Sequence, residues 1–140
     1  MKVLVVDDDL VSRRLLKGYL QKWDYQVTVV TNGAEAWEKF QEEDFPIVIC
    51  DWMMPEMDGP ELIQRMRSSD KPGYVYILLL TAKSRKDDVV EGMQSGADDF
   101  VSKPFDHDEL RMRLRAGARI VHLEQSLREA QAAMEINRKD

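Results

Sequence analysis

The stretch PIVICDWMMPEMDG, residues 46 to 59, joins an apolar run to a lone carboxylate and a rigid loop. Residues 46–50 have the length and the β-branched content of a strand, and Asp51 follows them directly. Asp58 and Gly59 then supply the turn signals with which a helix begins. We therefore interpret the stretch as a buried strand, a loop and the first turn of a helix.

The same alternation continues along the chain. Other apolar runs predict strands at 2–6, 26–30, 74–80 and 100–102. Stretches in which apolar residues recur with helical spacing lie at 10–22, 34–42, 60–67 and 86–95. This order is typical of right-handed βαβ units, so we predict a three-layer, doubly wound α/β fold with five parallel strands covered by helices on both faces.

One long helix is predicted for the last part of the chain. Acidic residues between 106 and 109 provide an N-cap and a first turn, and helix-forming residues continue to the end. Apolar residues then follow alternating steps of three and four: Ile120, Leu123, Leu127, Ala130 and Met134. This is the seam of a coiled coil, but over only about two heptads it also fits a frayed tail. We expect one domain at 1–118 and a helical extension at 119–140 that serves as a linker or coiled-coil segment.

Composition limits the classes of function. The chain has 140 residues, a formal net charge of −6 and one cysteine, Cys50. It is long enough for one core without disulfides, and no apolar stretch approaches the roughly 20 residues of a membrane span. A negative charge argues against binding to nucleic acid or anionic lipid. We expect a cytoplasmic protein whose partners are proteins or cations.

Polar residues follow four of the predicted strands: Asp7, Asp8 and Asp9 after the first, Asp51 after the third, Thr81 after the fourth and Lys103 after the fifth. The carboxyl ends of parallel strands form the ligand crevice of an open α/β sheet, so these side chains should converge. For Asp9 an N-cap role is sufficient. The other carboxylates repel one another unless a cation is present, and hard oxygen ligands indicate Mg²⁺, with Mn²⁺ as an alternative.

Such a group suits phosphoryl transfer. Asp51 would attack a phosphoryl donor and become an acyl phosphate, Lys103 would pair with one phosphoryl oxygen, and Thr81 would donate a hydrogen bond to another. No side chain then needs to act as a general base.

Four segments, VLVVDDD, ICDWMMPEMDG, LLLTA and DDFVSKPF, resemble in order and spacing the CheY-like receiver domain of two-component response regulators. The resemblance covers residues 1 to about 118 and implies a flavodoxin-like sheet with strand order 2-1-3-4-5. It also implies that Asp51 is the phosphoacceptor. Asp8 and Asp51 would bind Mg²⁺ directly, Asp7 would act through water, and the backbone carbonyl of Met53 would complete the protein ligands.

The resemblance assigns further roles. Thr81 and Phe100 match the switch pair, in which the hydroxyl moves toward the phosphoryl group and the ring turns inward. Lys103 precedes a proline at a position whose peptide bond is cis in this family. Met53 and Lys83 occupy the two positions that flank the attacking water, and neither is suited to orient it, so we predict slow to moderate autodephosphorylation.

The implied function is regulatory rather than enzymatic. The phosphoryl group would come from the phosphohistidine of a sensor histidine kinase or a histidine phosphotransfer protein. Phosphorylation would change a surface near Phe100, and dimers would form through the C-terminal helix or through the face of helix four, strand five and helix five. We expect an output domain beyond Asp140, and no direct contact with nucleic acid or membrane.

Two alternatives remain. Asp7, Asp9 and Val11 match the Asp-x-Asp-x-Val signature of haloacid-dehalogenase-type phosphatases. In that family the lysine should precede an acidic pair, whereas Lys103 follows Asp98 and Asp99. This alternative also leaves the loop at Asp51 unexplained. The second alternative is a docking module with a vestigial acidic pocket.

Three further expectations concern residues outside this cluster. Trp52 is expected to be partly exposed or to line a partner surface. The basic run 111–119 is expected to be a solvated helix face or to supply charge partners for Asp98, Asp99 or a second protomer. The two histidines are expected at the surface.

Overall fold

The protein is described by a computed structural model that covers residues 1–82 and 86–139. Its strands are β1 (Lys2–Val6), β2 (Gln26–Val30), β3 (Ile47–Asp51), β4 (Tyr76–Thr81) and β5 (Asp99–Ser102). Its helices are α1 (Leu10–Lys22), α2 (Gly33–Glu42), α3 (Gly59–Arg67), α4 (Lys86–Gln94) and α5 (His107–Lys139). The strands pair in parallel in the order β2-β1-β3-β4-β5, which confirms the predicted doubly wound fold.

The sheet separates two apolar cores because successive side chains of a strand point to opposite faces. Along β1, Leu4 and Val6 pack with residues of α2 and α3, whereas Val3 and Val5 pack with residues of α1 and α5. Every residue of β3 and β4 is buried. The near-continuous apolar character of these strands therefore follows from coverage on both faces.

Side-chain caps set the starts of three helices. Asp9 accepts a hydrogen bond from the backbone N–H of Ser12 at 2.9 Å, which confirms its predicted role as the N-cap of α1. Asn32 and Asp58 accept equivalent bonds at the starts of α2 and α3. These caps fix where the loops after β1, β2 and β3 end and the next helices begin.

β4 begins two residues later than predicted, at Tyr76 rather than 74. The backbone N–H of Tyr74 donates instead to Glu124 Oε2 at 3.2 Å. The carbonyl of Val75 accepts from Arg67 Nη1 at 2.6 Å. These backbone groups are hydrogen-bonded to side chains of α3 and α5, so the sheet ladder starts only at Tyr76.

Helix α5 runs without interruption through residue 118, at which the boundary between domain and extension is predicted. Among the described residues, every helix is too short or too polar to span a lipid bilayer.

Candidate functional site

Three carboxylates meet at the carboxyl ends of β1 and β3. Asp7 and Asp8 follow β1, and Asp51 is the last residue of β3. Each contributes a carboxylate oxygen to a group whose members lie within 4.8 Å of one another. Asp7 is completely buried and Asp51 is 6 % exposed, whereas Asp8 is exposed. The cluster therefore has two buried members and one member that faces solvent.

Lys103, in the loop after β5, completes the group. Its Nζ lies 3.0 Å from Asp7 Oδ2 and 3.2 Å from Asp51 Oδ1. The peptide bond between Lys103 and Pro104 is cis, as the resemblance implies. The backbone N–H of Lys103 donates to the carbonyl of Thr81 at 2.8 Å, which ties this loop to the end of β4.

One lysine does not neutralise the site. Burial raises the pKa of Asp51 to about 7, the negative charge of Asp7 contributes to this rise, and Lys103 opposes both effects. Burial alone would lower the pKa of Lys103, but its hydrogen bond to Asp7 and the charge of Asp51 give a net rise. The site has more carboxylates than cationic groups, and carboxylate oxygens are the hard ligands that Mg²⁺ prefers. The residues present therefore fit a divalent cation.

Both carboxylate oxygens of Asp7 are engaged within the chain. Oδ1 accepts from the backbone N–H of Asp9 at 2.9 Å, and Oδ2 is paired with Lys103. Its backbone carbonyl accepts from Arg13 Nη1 at 2.9 Å. These bonds restrict the orientation of the Asp7 side chain more than that of a surface carboxylate.

The remaining predicted residues lie around this cluster. Thr81 ends β4 and is 1 % exposed, and Phe100 on β5 is half-buried against the core that contains α2 and α3. Met53 is 60 % exposed in the loop after Asp51. Lys83 lies outside the described residues.

The expectation that Trp52 is partly exposed is wrong, because its side chain is 4 % exposed and packs in the core. A Cβ on Gly92 of α4 would lie 2.7 Å from Trp52 Cζ3, so the indole fills the space beside that glycine. A Cβ on Gly59 would lie 3.0 Å from Trp52 Cα. The sequence contains one signal of this packing, a glycine in the middle of a predicted helix.

Of the two aspartates expected as partners of the basic run 111–119, Asp99 pairs with it and Asp98 does not. Arg113 pairs with Asp99, as expected, with its Nη1 2.5 Å from Oδ2. Asp98 pairs elsewhere: it accepts from Arg67 Nη2 of α3 at 2.7 Å and from the backbone N–H of Ile77 at 2.7 Å. Asp98 therefore connects α3 to β4.

A second group of potential metal ligands, residues 106–108, is exposed at the surface. Asp106 Oδ1 already accepts from the backbone N–H groups of Asp108 and Glu109 as the first-turn cap of α5. Both histidines, His107 and His122, are exposed, as predicted. This group is explained by helix capping.

Comparison with known proteins gives a consistent result. A family model described as the response regulator receiver domain matches residues 3–115. The transcriptional regulatory protein SrrA of Staphylococcus aureus is 38 % identical over 115 residues, which cover 82 % of this chain and 46 % of SrrA. The chain therefore spans about half the length of that relative.

Solved structures agree with the sequence comparison. The chemotaxis response regulator CheY4 of Vibrio cholerae is 33 % identical with a TM-score of 0.78, over 83 % of this chain and 97 % of that chain. The receiver domain of a LuxO repressor protein from Vibrio parahaemolyticus is 26 % identical with a TM-score of 0.83, over 90 % of this chain and 95 % of that chain.

Proposed function

The chain belongs to the response regulator receiver domain family, and from this membership we propose that Asp51 is its phosphoacceptor. Receiver domains act in two-component signalling, where activation by phosphorylation is the general role of the family. The observation that supports the proposal best is the position of Asp51 at the end of β3, 3.2 Å from Lys103 Nζ and next to two further carboxylates. The donor would be the phosphohistidine of a sensor histidine kinase or of a histidine phosphotransfer protein.

In the proposed step a carboxylate oxygen of Asp51 forms a bond to phosphorus. The bond between phosphorus and the donor nitrogen breaks, and its electron pair stays on the imidazole. Lys103 is already within ion-pair distance of Asp51 and would balance charge on the phosphoryl oxygens. No proton has to leave a protein side chain when Asp51 starts as a carboxylate.

Mg²⁺ (or Mn²⁺), when bound, would neutralise the negative charge that gathers on the phosphoryl oxygens. We propose that Asp8, Asp51 and the backbone carbonyl of Met53 hold this ion directly and that Asp7 acts through water. The engagement of both Asp7 oxygens by Asp9 N–H and Lys103 supports the indirect role of Asp7.

Thr81 and Phe100 are the proposed switch pair. They lie on adjacent paired strands, Thr81 beside Ser102 and Phe100 beside Leu79. Thr81 is buried near the cluster, whereas Phe100 is only half-buried and has part of its ring still to bury. When the Thr81 hydroxyl moves toward a phosphoryl group, the ring of Phe100 would turn inward. The exposed surface of β5 would thus change.

The lifetime of the acyl phosphate would be set by Met53 and Lys83. The exposed thioether of Met53 offers no strong donor or acceptor to an attacking water. Replacing Met53 by Asn together with Lys83 by Glu should accelerate dephosphorylation, measured as the decay of the phosphorylated form. Unchanged decay would remove these two residues from the account.

The proposal includes a regulatory rather than an enzymatic role, with residues 1–118 as the receiver and 119–140 as a helical extension. Dimers would form through the extension or through the face of α4, β5 and α5. Arg113 and Asp99 lie on that face and pair with each other within the chain.

The test is incubation with acetyl phosphate and Mg²⁺, followed by intact-mass measurement. We expect one phosphoryl group on the wild-type chain, none on Asp51→Asn, and normal labelling of Asp9→Asn, because Asp9 is a helix cap. Labelling of Asp51→Asn but not of Asp7→Asn would refute the assignment in favour of phosphatase-like chemistry. Absence of any acyl phosphate, without Mg²⁺-dependent quenching of Trp52 fluorescence, would favour a docking module.

A further inference from the structure

The segment between α3 and β4 holds the last helix against the domain. The backbone N–H of Tyr74 donates to Glu124 Oε2 of α5 at 3.2 Å. One turn further along the helix, Arg128 Nη1 lies 2.8 Å from where a Cβ on Gly73 would stand. Gly73 has a φ of +92°, in the left-handed region that glycine adopts readily. Two side chains of α5 thus lie against residues 73 and 74.

Few other contacts hold the end of α5. Among the described residues, Val121 is the last buried one of the helix, and beyond it only Glu124 is not exposed. A cleft of about 730 Å³ lies between this part of the helix and the loops that precede β3 and β4. Because a helix beside an open cleft has no apolar surface to pack on, it is held by polar contacts. The hold beyond Val121 therefore depends on Tyr74 and Glu124.

Tyr74 is held in turn by Asp98, the residue before β5. The phenol O–H of Tyr74 donates to one carboxylate oxygen of Asp98. The other oxygen accepts from Arg67 Nη2 and from the backbone N–H of Ile77, each at 2.7 Å. Both oxygens of Asp98 are therefore engaged in short hydrogen bonds, which a displacement of this residue can only lengthen.

Arg67 of α3 ties these segments together. Its Nε donates to the carbonyl of Gly96 at 2.9 Å, and its Nη1 donates to the carbonyl of Val75 at 2.6 Å. The guanidinium also lies over the ring of Tyr74, with Cζ 5.3 Å from the ring centre. One arginine thus joins the segment before β5 to the segment that holds α5.

We propose that Asp98, Tyr74 and Glu124 form a clasp, through which the start of β5 controls how firmly α5 is held beyond Val121. The contacts run from the Asp98 carboxylate to the Tyr74 side chain, and from the Tyr74 backbone to Glu124. When Asp98 releases the phenol, the Tyr74 N–H loses its fixed alignment with Glu124. The clasp lies at the amino ends of β4 and β5, whereas Asp51 lies at the carboxyl end of β3, so the clasp itself does not depend on phosphotransfer.

The clasp also connects the proposed switch to α5. Phe100 lies on β5, two residues after Asp98. Inward rotation of its ring would shift the strand and lengthen the bonds that Asp98 accepts, so phosphorylation would loosen the clasp. This one consequence rests on the proposed function.

Hydrogen–deuterium exchange of the full-length chain, read by mass spectrometry, tests the clasp at residues 118–128. Tyr74→Phe removes the phenol oxygen but keeps the ring and the backbone N–H. It should speed exchange of residues 118–128 by about tenfold, because a hydrogen bond to a charged group is lost. Asp98→Ala removes the other partner of this bond and should have at least the same effect. Tyr25→Phe, which removes a phenol oxygen from another part of the domain, should leave this exchange unchanged.

Glu124 is tested in the same way. Glu124→Ala should speed exchange of residues 118–128 by at least about tenfold, because it removes the acceptor on the helix itself. Glu129→Ala is the matched control, since it removes the same charge from an exposed site whose hydrogen bond, from Gln125, lies within the helix. Since the clasp acts in series, Tyr74→Phe combined with Glu124→Ala should exchange no faster than Glu124→Ala alone.

Three results would overturn the clasp. Unchanged exchange of residues 118–128 in Glu124→Ala would remove the hold on α5, and unchanged exchange in Tyr74→Phe would remove its control by Asp98. Exchange that rises equally in β3, measured in the same samples, would show a global loss of stability instead.

Acetyl phosphate with Mg²⁺ tests the connection to the switch. The wild-type chain, once its mass confirms the phosphoryl group, should exchange residues 118–128 faster than the unlabelled chain, and Tyr74→Phe should show no further increase. Labelled protein with unchanged exchange would overturn control of the clasp by β5. Absence of the label would instead refute Asp51 as the phosphoacceptor, and the variants alone would then decide the clasp.

Discussion

Replacing Asp51 by Asn should stabilise the metal-free protein. The carboxylate of Asp51 is 6 % exposed, and burial with the charge of Asp7 raises its pKa from 3.8 to about 7. The folded state thus holds the charged carboxylate less favourably than the unfolded state does. One pKa unit corresponds to about 1.4 kcal/mol. Above pH 7 the charged carboxylate of Asp51 therefore destabilises the folded state by at most about 4 kcal/mol.

Two effects reduce the gain. The neutral amide introduced by Asp51→Asn would not form the ion pair that the carboxylate makes with Lys103 at 3.2 Å, and water that enters the crevice lowers the cost of the charge. We therefore expect Asp51→Asn to raise the free energy of unfolding by about 2 kcal/mol at pH 8 in EDTA. Urea denaturation followed by circular dichroism measures this difference.

The dependence on pH is specific. A carboxyl group whose pKa is higher in the folded state makes the protein less stable as pH rises from 3.8 through about 7. The stability advantage of Asp51→Asn should therefore grow across that window and vanish below it. Added Mg²⁺ should stabilise the wild-type protein more than the variant and shrink the difference. Asp9→Asn makes the same charge change at an exposed cap and should show no gain. An advantage that is absent at pH 8, or equal at pH 4 and pH 8, would refute the reasoning.

Three further changes test other parts of the molecule. Gly117→Ala should lower the free energy of unfolding by about 1–3 kcal/mol in urea denaturation, because the added methyl overlaps the ring of Tyr76; a neutral result would mean that α5 can shift away. Asp98→Ala should cost about 3 kcal/mol in the same measurement, because it leaves Arg67 without its carboxylate partner in a partly buried site, and a cost below about 1 kcal/mol would contradict this. Mg²⁺ should quench the fluorescence of buried Trp52, which directly follows the proposed phosphoacceptor, and unchanged emission at saturating Mg²⁺ would argue against an ion at the cluster.

The parts of the fold that sequence predicts well are those that depend on local pattern. Strands β3 and β4 are apolar up to their last residues, Asp51 and Thr81, because both faces are covered, and this pattern identifies them as central strands. Once the strands are known to be parallel, Asp7, Asp51 and Lys103 must lie at one edge of the sheet. The 3.0 Å contact between Lys103 and Asp7 confirms that convergence.

The parts that sequence did not predict depend on contacts between distant segments. Asp98 pairs with Arg67, 31 residues away, rather than with the nearer basic run. The late start of β4 depends on Glu124, 50 residues from Tyr74. Trp52 is buried because α4 approaches it at a glycine, and no periodic pattern encodes the distance between a loop and a helix.

The uninterrupted helix α5 gives the domain a lever arm. The 33 residues of α5 extend for about 50 Å at 1.5 Å per residue, of which about 17 Å lies beyond Arg128, whose Nη1 is 2.8 Å from where a Cβ on Gly73 would stand. If that contact acts as the fulcrum, a tilt of about 10° would displace the far end of the helix by about 3 Å. A small repacking of the sheet would then be magnified into a displacement comparable to the width of a side chain.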